Sequence, residues 1–361
     1  MSNEELSAHE NGNKWVTLVM ERKDRWGFAL VYLFLSFIEL TLKLRVAHNN
    51  WFGGRLARNH ALLMDFQYFQ NEQSRLLQFL IPEAIRSITG ISIESAYMLQ
   101  RFVWISLMFM AFHWYLRKWL SSAESFAGVV FLAAIMPFTF LNDLMESTPL
   151  LLLLFVLGLM AIRERRTTGL VIILTIGSIA NETILVLPAV YFFYNFKGID
   201  PRNIRFPDIK ASLVLVGRTL LVALLPFSVF VSIRYMNRHV PHLGGDVVLW
   251  SENLRNIWES IRTLNLFTLY DTRYLHFILL YSVFWLYALL GYRRSGLFLQ
   301  RALWVVPLFL LPHLITSKMN EPRDMLPLGF VLVPMGLNFL FSRVDSSCKR
   351  PPRVVSTGMR G

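Results

Sequence analysis

The sequence predicts an all-α polytopic membrane protein with about ten hydrophobic segments and both termini on the cytoplasmic side. Apolar residues make up 54% of the 361-residue chain and charged residues only 17%, less charge than a soluble domain of this length would carry. The apolar residues fall in blocks whose length matches a hydrocarbon core of roughly 30 Å. Basic residues stand between these blocks, as orientation signals do.

The blocks divide the chain into two tails and one membrane domain. We expect a cytoplasmic N-terminal tail at 1–26, a multi-span membrane domain at 27–342 and a basic cytoplasmic tail at 343–361. Two long outer loops, at about 47–96 and 234–273, are expected to carry amphipathic helices in the membrane interface. The hydrophobic segments lie at about 27–46, 97–116, 124–141, 148–162, 168–196, 212–233, 274–292, 299–316 and 323–342.

The block at 168–196 is long for one helix and short for two. Its middle reads Asn181-Glu182-Thr183, polar groups that the centre of a lipid-facing helix tolerates only at a cost. We therefore expect two short helices bent at this point. Counting the block as two segments also leaves the inner connections richer in Lys and Arg than the outer ones, as the positive-inside rule requires.

The net charge of +12 and the single cysteine exclude several classes of function. No run of Lys and Arg is long enough to follow a nucleic-acid backbone, so we expect no nucleic-acid partner and assign the basic residues to contacts with membrane lipids. Cys348 alone forms neither an intrachain disulfide nor a cysteine-based zinc site.

The predicted layout brings most acidic residues of the membrane domain to the outer surface. For Asp65 and Asp143, helix capping is an alternative explanation to catalysis. Asp143 and Glu146 would share a face at the start of the fourth segment. Glu182 lies between two apolar runs, where capping is a poor explanation and function a better one. Chemistry that needs a carboxylate base or a divalent cation therefore has its candidates on this side.

The short turn before the last segment supplies further candidates. It reads Lys318-Met319-Asn320-Glu321-Pro322-Arg323-Asp324, and solvation of an ordinary charged turn is the alternative explanation. Glu321 and Arg323 together would position a base and an anionic phosphate. His313 and Arg101 fall at the same outer level, and a guanidinium such as that of Arg101 matches the oxygens of a lipid phosphate.

These features resemble the C-type (GT-C) superfamily of integral-membrane glycosyltransferases, in its bacterial branch. The resemblance is carried by the long first outer loop with an acid and an interfacial helix, and it covers most of the chain. Three strings of residues carry it in detail: Arg75…Pro82…Gly90-Ile91-Ser92…Ala96-Tyr97, Asn181-Glu182-Thr183 followed by Leu185-Val186-Leu187-Pro188, and Glu321-Pro322-Arg323…Leu326-Pro327.

The resemblance implies a transferase that moves a sugar from a polyprenyl-phosphate donor to a lipid-linked or surface glycan at the outer face of a bacterial inner membrane. Asp65 would be the general base, with Glu182 and Glu321 as substitutes because the acid of this superfamily often follows the first span more closely. Arg101, Arg323 and Lys318 would bind the donor phosphate. Asp143, Glu146, Asn181 and His313 would support the acceptor.

The leaving phosphate needs no strong acid, but it does need positive charge, from arginines or from a divalent cation such as Mg²⁺ or Mn²⁺. Two other functions remain open. A transporter or flippase of a lipid-linked sugar would also use broken helices and charges within the membrane. A non-catalytic assembly subunit of the membrane would need neither feature.

Overall fold

The computed structural model describes residues 3–142, 145–196, 209–240, 250–262, 276–316 and 321–348, with side chains described over 26–49, 51–140, 145–196, 209–240, 250–262, 278–315 and 321–342. Every regular element in these ranges is a helix, so the predicted all-α class is confirmed. The α-helices are α1 (Asn3–Trp51), α2 (Arg55–Met64), α3 (Gln70–Gln73), α4 (Leu76–Thr89), α5 (Ile93–Leu116), α6 (Ser122–Ile135), α7 (Ser147–Arg163), α8 (Thr167–Ala180), α9 (Leu187–Asn195), α10 (Ile209–Met236), α11 (Trp250–Arg262), α12 (His276–Leu279), α13 (Val283–Gly291), α14 (Leu297–Ala302), α15 (Val305–Thr316) and α16 (Gly329–Cys348). Short 3₁₀ turns lie at Met136–Asn142, Glu182–Val186, Tyr292–Arg294 and Pro322–Leu328.

Within the described ranges, six helical stretches are long and apolar enough to cross a membrane. They are Trp26–Asn49, Ile93–Leu116, Ser122–Phe140, Ile209–Met236, Leu297–Ile315 and Pro322–Ser342. Two shorter apolar helices, α7 and α8, accompany them. The chain is therefore a helical membrane protein, while the count of ten segments and the side on which each loop lies stay predictions.

The helix α7 forms the centre of the molecule because it is apolar around nearly its whole circumference. All residues from Leu150 to Val156 are buried, and α7 packs between α5 and α8. The helix α10 covers α8 on the outside, and α1 covers α5. Lipid-facing residues of α10 are accordingly exposed and apolar.

A second close contact joins α13 to α16. A Cβ added at Gly291 would lie 2.8 Å from the carbonyl oxygen of Met335 and 2.9 Å from the Cβ of Phe339. A side chain would therefore push the two helices apart, as at other small-residue contacts between membrane helices. This packing makes α16 one of the most buried helices of the bundle.

Both ends of the predicted membrane domain continue as helix. The helix α1 begins at Asn3, so the described part of the N-terminal tail is continuous with the first span, and no proline interrupts it. The helix α16 runs to Cys348, past the boundary predicted at 342. The rest of the C-terminal tail lies outside the described residues.

The predicted bend within 168–196 is present. The helix α8 ends at Ala180, a 3₁₀ turn occupies Glu182–Val186, and α9 starts at Leu187 with Pro188 in its first turn. Proline is tolerated there because the first amides of a helix have no partner within the helix. The block is therefore two short helices joined at a polar turn.

The first long loop folds as the three helices α2, α3 and α4. The helix α4 is the amphipathic helix expected in this loop; it contains Pro82 and ends at Gly90, whose φ of 72° suits glycine. The second long loop contains α11, which exposes an apolar stripe formed by Trp250, Leu254, Trp258 and Ile261. Both loops thus carry amphipathic helices within the described residues.

Candidate functional site

Seven charged side chains meet where several helices end, and we call them the charged cluster. They come from four separate parts of the chain: the α3–α4 turn, the break after α8, the end of α10 and the turn before α16. Their side chains are between 10% and 31% exposed, so the cluster is sunk into the surface yet reachable. The members are Glu72, Arg75, Glu182, Arg234, Glu321, Arg323 and Asp324.

Glu182 is held by two guanidinium groups. Nε and Nη2 of Arg75 donate to its two carboxylate oxygens at 3.2 and 2.9 Å, which makes a bidentate pair. Nη2 of Arg234 lies 3.5 Å from one of the same oxygens. Burial alone would raise the pKa of Glu182, but Arg75 outweighs burial and the pKa falls to about 2. Glu182 is therefore a stable anion and a poor proton acceptor.

Arg75 also connects Glu182 to Glu72. Its Nη1 donates to Oε1 of Glu72 at 3.0 Å, while the amide of Gln78 donates to Oε2 of Glu72 at 3.0 Å. Burial disfavours the charge on Arg75, but Glu182 and Glu72 together raise its pKa well above the ordinary value. Nη2 of Arg323 lies 3.8 Å from Oε1 of Glu72, which extends the chain of ion pairs to the turn before α16.

Glu321 has an environment opposite to that of Glu182. Nη2 of Arg323 donates to its Oε2 at 3.1 Å, and Nε of Arg323 lies 3.8 Å from Asp324. Burial raises the pKa of Glu321, the charge of Arg323 lowers it, and the negative charges of Asp324 and Glu72 raise it, so that the net shift is upward. Because its side chain is 31% exposed, Glu321 combines a raised proton affinity with access from outside.

Local backbone structure directs Glu182 and Glu321 into the cluster. Asn181 is extended, with φ of −167°, and its side-chain oxygen accepts a hydrogen bond from the amide of Thr183 at 3.0 Å. This cap ends α8 and starts the 3₁₀ turn whose first residue is Glu182. On the other side, Glu321 precedes the 3₁₀ turn that begins with Pro322.

Amide contacts fasten the end of α10 to α3. Nη1 of Arg234 donates to the side-chain oxygen of Asn71 at 2.6 Å. The side-chain amide of Asn237 donates to the carbonyl oxygen of Gln73 at 3.3 Å, and that of Gln70 donates to the carbonyl oxygen of Asn237 at 3.4 Å. These contacts hold Arg234 beside Glu182.

A second ionic group, Lys43, Arg101 and Glu146, is buried between α1, α5 and α7, and we call it the buried ion cluster. Nζ of Lys43 lies 3.3 Å from Glu146 and donates to the carbonyl oxygen of Phe140 at 2.6 Å, while Nη1 of Arg101 donates to Glu146. All three side chains are at most 2% exposed. Removing one partner of a buried pair costs about 3–5 kcal/mol, so this cluster ties the helices together.

The structure groups some of the predicted site residues and separates others. Glu182, Glu321 and Arg323 belong to the charged cluster, and Asn181 caps the turn that carries Glu182. Arg101 and Glu146 are instead partners in the buried ion cluster. Arg101 is 2% exposed, so the predicted contact with a donor phosphate would need this ion pair to open.

Two further predicted residues, Asp65 and His313, lie outside both clusters. Asp65 closes α2 as an exposed C-terminal cap, and among the described residues no ion pair joins it to the charged cluster. The Nδ1 atom of His313 lies 2.7 Å from the carbonyl oxygen of Phe309, one turn earlier in α15. Asp143 and Lys318 lie outside the described residues.

Sequence reasoning missed Glu72 and Arg234 as site residues, and it named Arg75 for the interfacial helix and the resemblance but not as a site residue. Glu72 and Arg75 are of opposite charge and three residues apart, a spacing at which side chains often pair, so this spacing was a usable signal. Lys43, a member of the buried ion cluster, was also missed as a site residue. The pairing of Arg234 with Glu182 depends on how α10 packs on α8, and the sequence carries no signal for it.

The described residues contain no group of three or more His, Cys, Asp or Glu side chains arranged to hold a metal ion. In the charged cluster, the guanidinium groups of Arg75, Arg234 and Arg323 stand beside the carboxylates.

Comparison with known proteins adds no family to this description. No protein-family model, curated protein or solved structure matches the chain at a significant level.

Proposed function

We propose that the protein is a multi-pass membrane glycosyltransferase of the C-type kind, which moves a sugar from a polyprenyl-phosphate donor to a lipid-linked or surface glycan. The reaction would take place at the charged cluster, on the outer face of a bacterial inner membrane. The single observation that carries the proposal is the meeting of three arginines and four acids from four distant parts of a membrane domain.

The sidedness follows from the charge distribution. With the N-terminus inside and α8 and α9 as a pair, the connections that carry Arg163–Arg166 and Arg293–Arg294 lie inside, as the positive-inside rule requires. The α3–α4 turn, the Glu182 turn, the end of α10 and the Glu321 turn then all lie outside. The contacts among these four turns support the arrangement, since turns on opposite sides of a bilayer would not touch.

Glu321 is the best of the three predicted bases. A general base must be deprotonated yet keep useful proton affinity, and the raised pKa of Glu321 supplies that affinity. Glu182, whose pKa is lowered to about 2 by Arg75, would serve only to orient the arginines. Asp65 is exposed and outside the charged cluster, so it is the weaker candidate.

The proposed step uses the cluster in two roles. The acceptor hydroxyl oxygen attacks the anomeric carbon of the donor while the Glu321 carboxylate takes the hydroxyl proton. The bond between the anomeric carbon and the phosphate oxygen breaks, and the phosphate leaves with its electron pair. Arg323, beside Glu321, would stabilise the charge that grows on this phosphate.

A transporter of a lipid-linked sugar is the second candidate, favoured by polar atoms buried within the spans. One carboxylate oxygen of Glu39 and both side-chain amide atoms of Gln100 are buried without a hydrogen-bond partner among the described residues. Such groups within membrane depth often line a path for polar substrates or protons. This observation does not involve the charged cluster, so the two candidates predict different variants to fail.

The test compares the lipid-linked and surface glycans of wild-type cells, a deletion strain and the deletion strain complemented with single variants. We expect Glu321→Gln to abolish transfer of one sugar at normal protein level, because loss of a general base costs roughly 10²- to 10⁴-fold in rate. Glu83→Gln is the matched control, since Glu83 is a half-buried, ion-paired glutamate outside the charged cluster. Asp65→Asn tests whether Asp65 is the base in place of Glu321.

Each outcome has a defined meaning. Normal glycan with Glu321→Gln and a missing sugar with Asp65→Asn would move the base to Asp65. A complete lipid-linked glycan that accumulates on the inner leaflet would identify a flippase. An unchanged glycan in the deletion strain would contradict both functions and favour an assembly subunit.

A further inference from the structure

The described part of the bundle contains an apolar cavity of about 350 Å³, and none of the residues that line it belongs to the charged cluster. It lies between α13 and α15 and has α16 at its floor. Ala288 and Leu332 are buried at the floor, while Leu289 and Trp304 are exposed at the rim. The volume lies near the lower end of the range of about 300–1,000 Å³ that is usual for ligand sites.

All nine residues that line the cavity are apolar or aromatic. The exposed rim faces outward from the bundle, on helices that lie within or beside membrane spans. A polar ligand would therefore leave its hydrogen bonds unmade in this cavity, whereas a hydrocarbon chain would not. In a membrane, lipid surrounds this rim and supplies hydrocarbon chains at high concentration.

Positive charge stands at one end of the cavity. Tyr292 lines it, and the next two residues in the 3₁₀ turn, Arg293 and Arg294, are exposed. Leu289 at the rim is four residues before Arg293, a rise of about 6 Å along a helix. No aspartate or glutamate occurs between Asp271 and Glu321, the segment that supplies every lining residue except Leu332.

We infer that this cavity binds an anionic glycerophospholipid, with one acyl chain between α13 and α15 and the phosphate head group on Arg293 and Arg294. The apolar lining selects the chain, and the two guanidinium groups select an anionic head group over a zwitterionic one. In the proposed topology the lipid belongs to the inner leaflet, opposite the charged cluster. The inference does not rest on the transferase function, since it uses none of the residues assigned to transfer.

The experiment is native mass spectrometry of the purified full chain in detergent, titrated with dioleoylphosphatidylglycerol or with dioleoylphosphatidylcholine. The two lipids have the same acyl chains and differ in head-group charge. We expect wild type to retain the anionic lipid preferentially. The double variant Arg293→Gln/Arg294→Gln should lose about thirty-fold in apparent affinity, from roughly fivefold for each arginine.

Two further variants separate the cavity from general surface charge. Arg165→Gln/Arg166→Gln removes an exposed basic pair from the α7–α8 turn and should leave retention unchanged. Ala288→Phe fills the floor of the cavity and should weaken retention while Arg293 and Arg294 remain.

Three results would overturn the inference. Equal retention of the two lipids by wild type would exclude selection by charge. Equal loss in the Arg165/Arg166 control and the Arg293/Arg294 variant would mean that any basic turn suffices. Unchanged retention in Ala288→Phe, folded as judged by its melting temperature, would exclude the cavity as the site of the acyl chain.

Discussion

Glu182 and Glu321 show how the same side chain acquires opposite properties within one cluster. Glu182 receives a bidentate pair from Arg75 and a second arginine nearby, so its negative charge is strongly stabilised. Glu321 has one guanidinium beside it, and two acids oppose that charge. The charged neighbours, rather than the residue type, therefore give the two pKa values opposite directions, which favours a structural role for Glu182 and the proposed role as base for Glu321.

Substitutions of two neighbours of Glu321 should shift the acid-side midpoint of sugar transfer in opposite directions. As a base, Glu321 must be deprotonated, so activity should fall on the acid side, with the midpoint above the ordinary glutamate pKa of 4.5. Arg323→Gln removes a charge that lowers the pKa and should move the midpoint to higher pH. Asp324→Asn removes a charge that raises the pKa and should move the midpoint to lower pH.

The measurement is the transfer rate of the purified protein with a lipid-linked donor between pH 4 and 8, a range that starts at ordinary carboxyl pKa values and ends about four units above them. Glu83→Gln serves as the control, because it changes a glutamate outside the cluster. Shifts of equal sign in the two variants would contradict the assignment of the base to Glu321.

Glu182 predicts a pH dependence of stability rather than of activity. Its pKa is depressed from 4.5 to about 2, so its stabilising contribution is fully present above the ordinary value and is lost as the pH falls toward 2. Glu182→Gln should therefore lower the melting temperature at pH 6, and the difference from wild type should shrink below about pH 4.5.

Differential scanning fluorimetry in detergent, using the ten tryptophans as reporters, follows this difference. Glu164→Gln is a suitable comparison, because Glu164 is also an ion-paired glutamate but lies outside the charged cluster. A difference between Glu182→Gln and wild type that stays constant down to pH 3 would show that the effect comes from packing and not from charge.

At the scale of elements, the bend after α8 could be predicted because its cause lies in consecutive residues of the sequence. Asn181, Glu182 and Thr183 interrupt an apolar run, and a polar group in that position favours a turn. The α13–α16 contact could not be predicted in this way, since Gly291 gives no sign of which helix will approach it. The partners of Glu182 were missed for the same reason: they lie on helices distant in sequence.

The helix α11 predicts a specific orientation in the membrane interface. Its exposed apolar stripe includes Leu254 and Trp258, whereas Glu252 lies on a different face. In a Cys348→Ser background, a fluorophore on Leu254→Cys should be quenched by nitroxide-labelled phospholipid in liposomes, because an interfacial helix buries its apolar face at the boundary of the acyl chains.

The same fluorophore on Glu252→Cys is the matched control and should be quenched less. Equal quenching at the two positions would mean that α11 does not lie flat on the membrane, and its stripe would then need a protein partner.

At the scale of the whole molecule, composition and block length were sufficient for the membrane class because the bilayer imposes both. They were insufficient for individual helix lengths. The helix α7 is surrounded by other helices, so its length is set by its neighbours rather than by lipid. The seven-residue charged cluster is likewise a property of the assembled bundle, and the sequence alone identified only Glu182, Glu321 and Arg323 of its members as site candidates.

One labelling experiment decides whether residues 168–196 cross the membrane twice, as a pair of helices, or only once. The chain has one cysteine, so Cys348→Ser gives a background without thiols. Single cysteines are then introduced as Asp65→Cys, Arg166→Cys and Arg293→Cys, all at exposed positions. With a paired crossing, a membrane-impermeant maleimide should label only Asp65→Cys in intact cells, and the other two only after lysis.

A single crossing would leave Arg166→Cys inside but bring Arg293→Cys outside, so that labelling of Arg293→Cys in intact cells contradicts the pair. That outcome would also conflict with the charged cluster, because α10 would then run in the opposite direction and its end, with Arg234, would lie on the side away from Glu72 and Arg75. The ion pair between Arg234 and Glu182 at 3.5 Å therefore belongs to the paired topology alone.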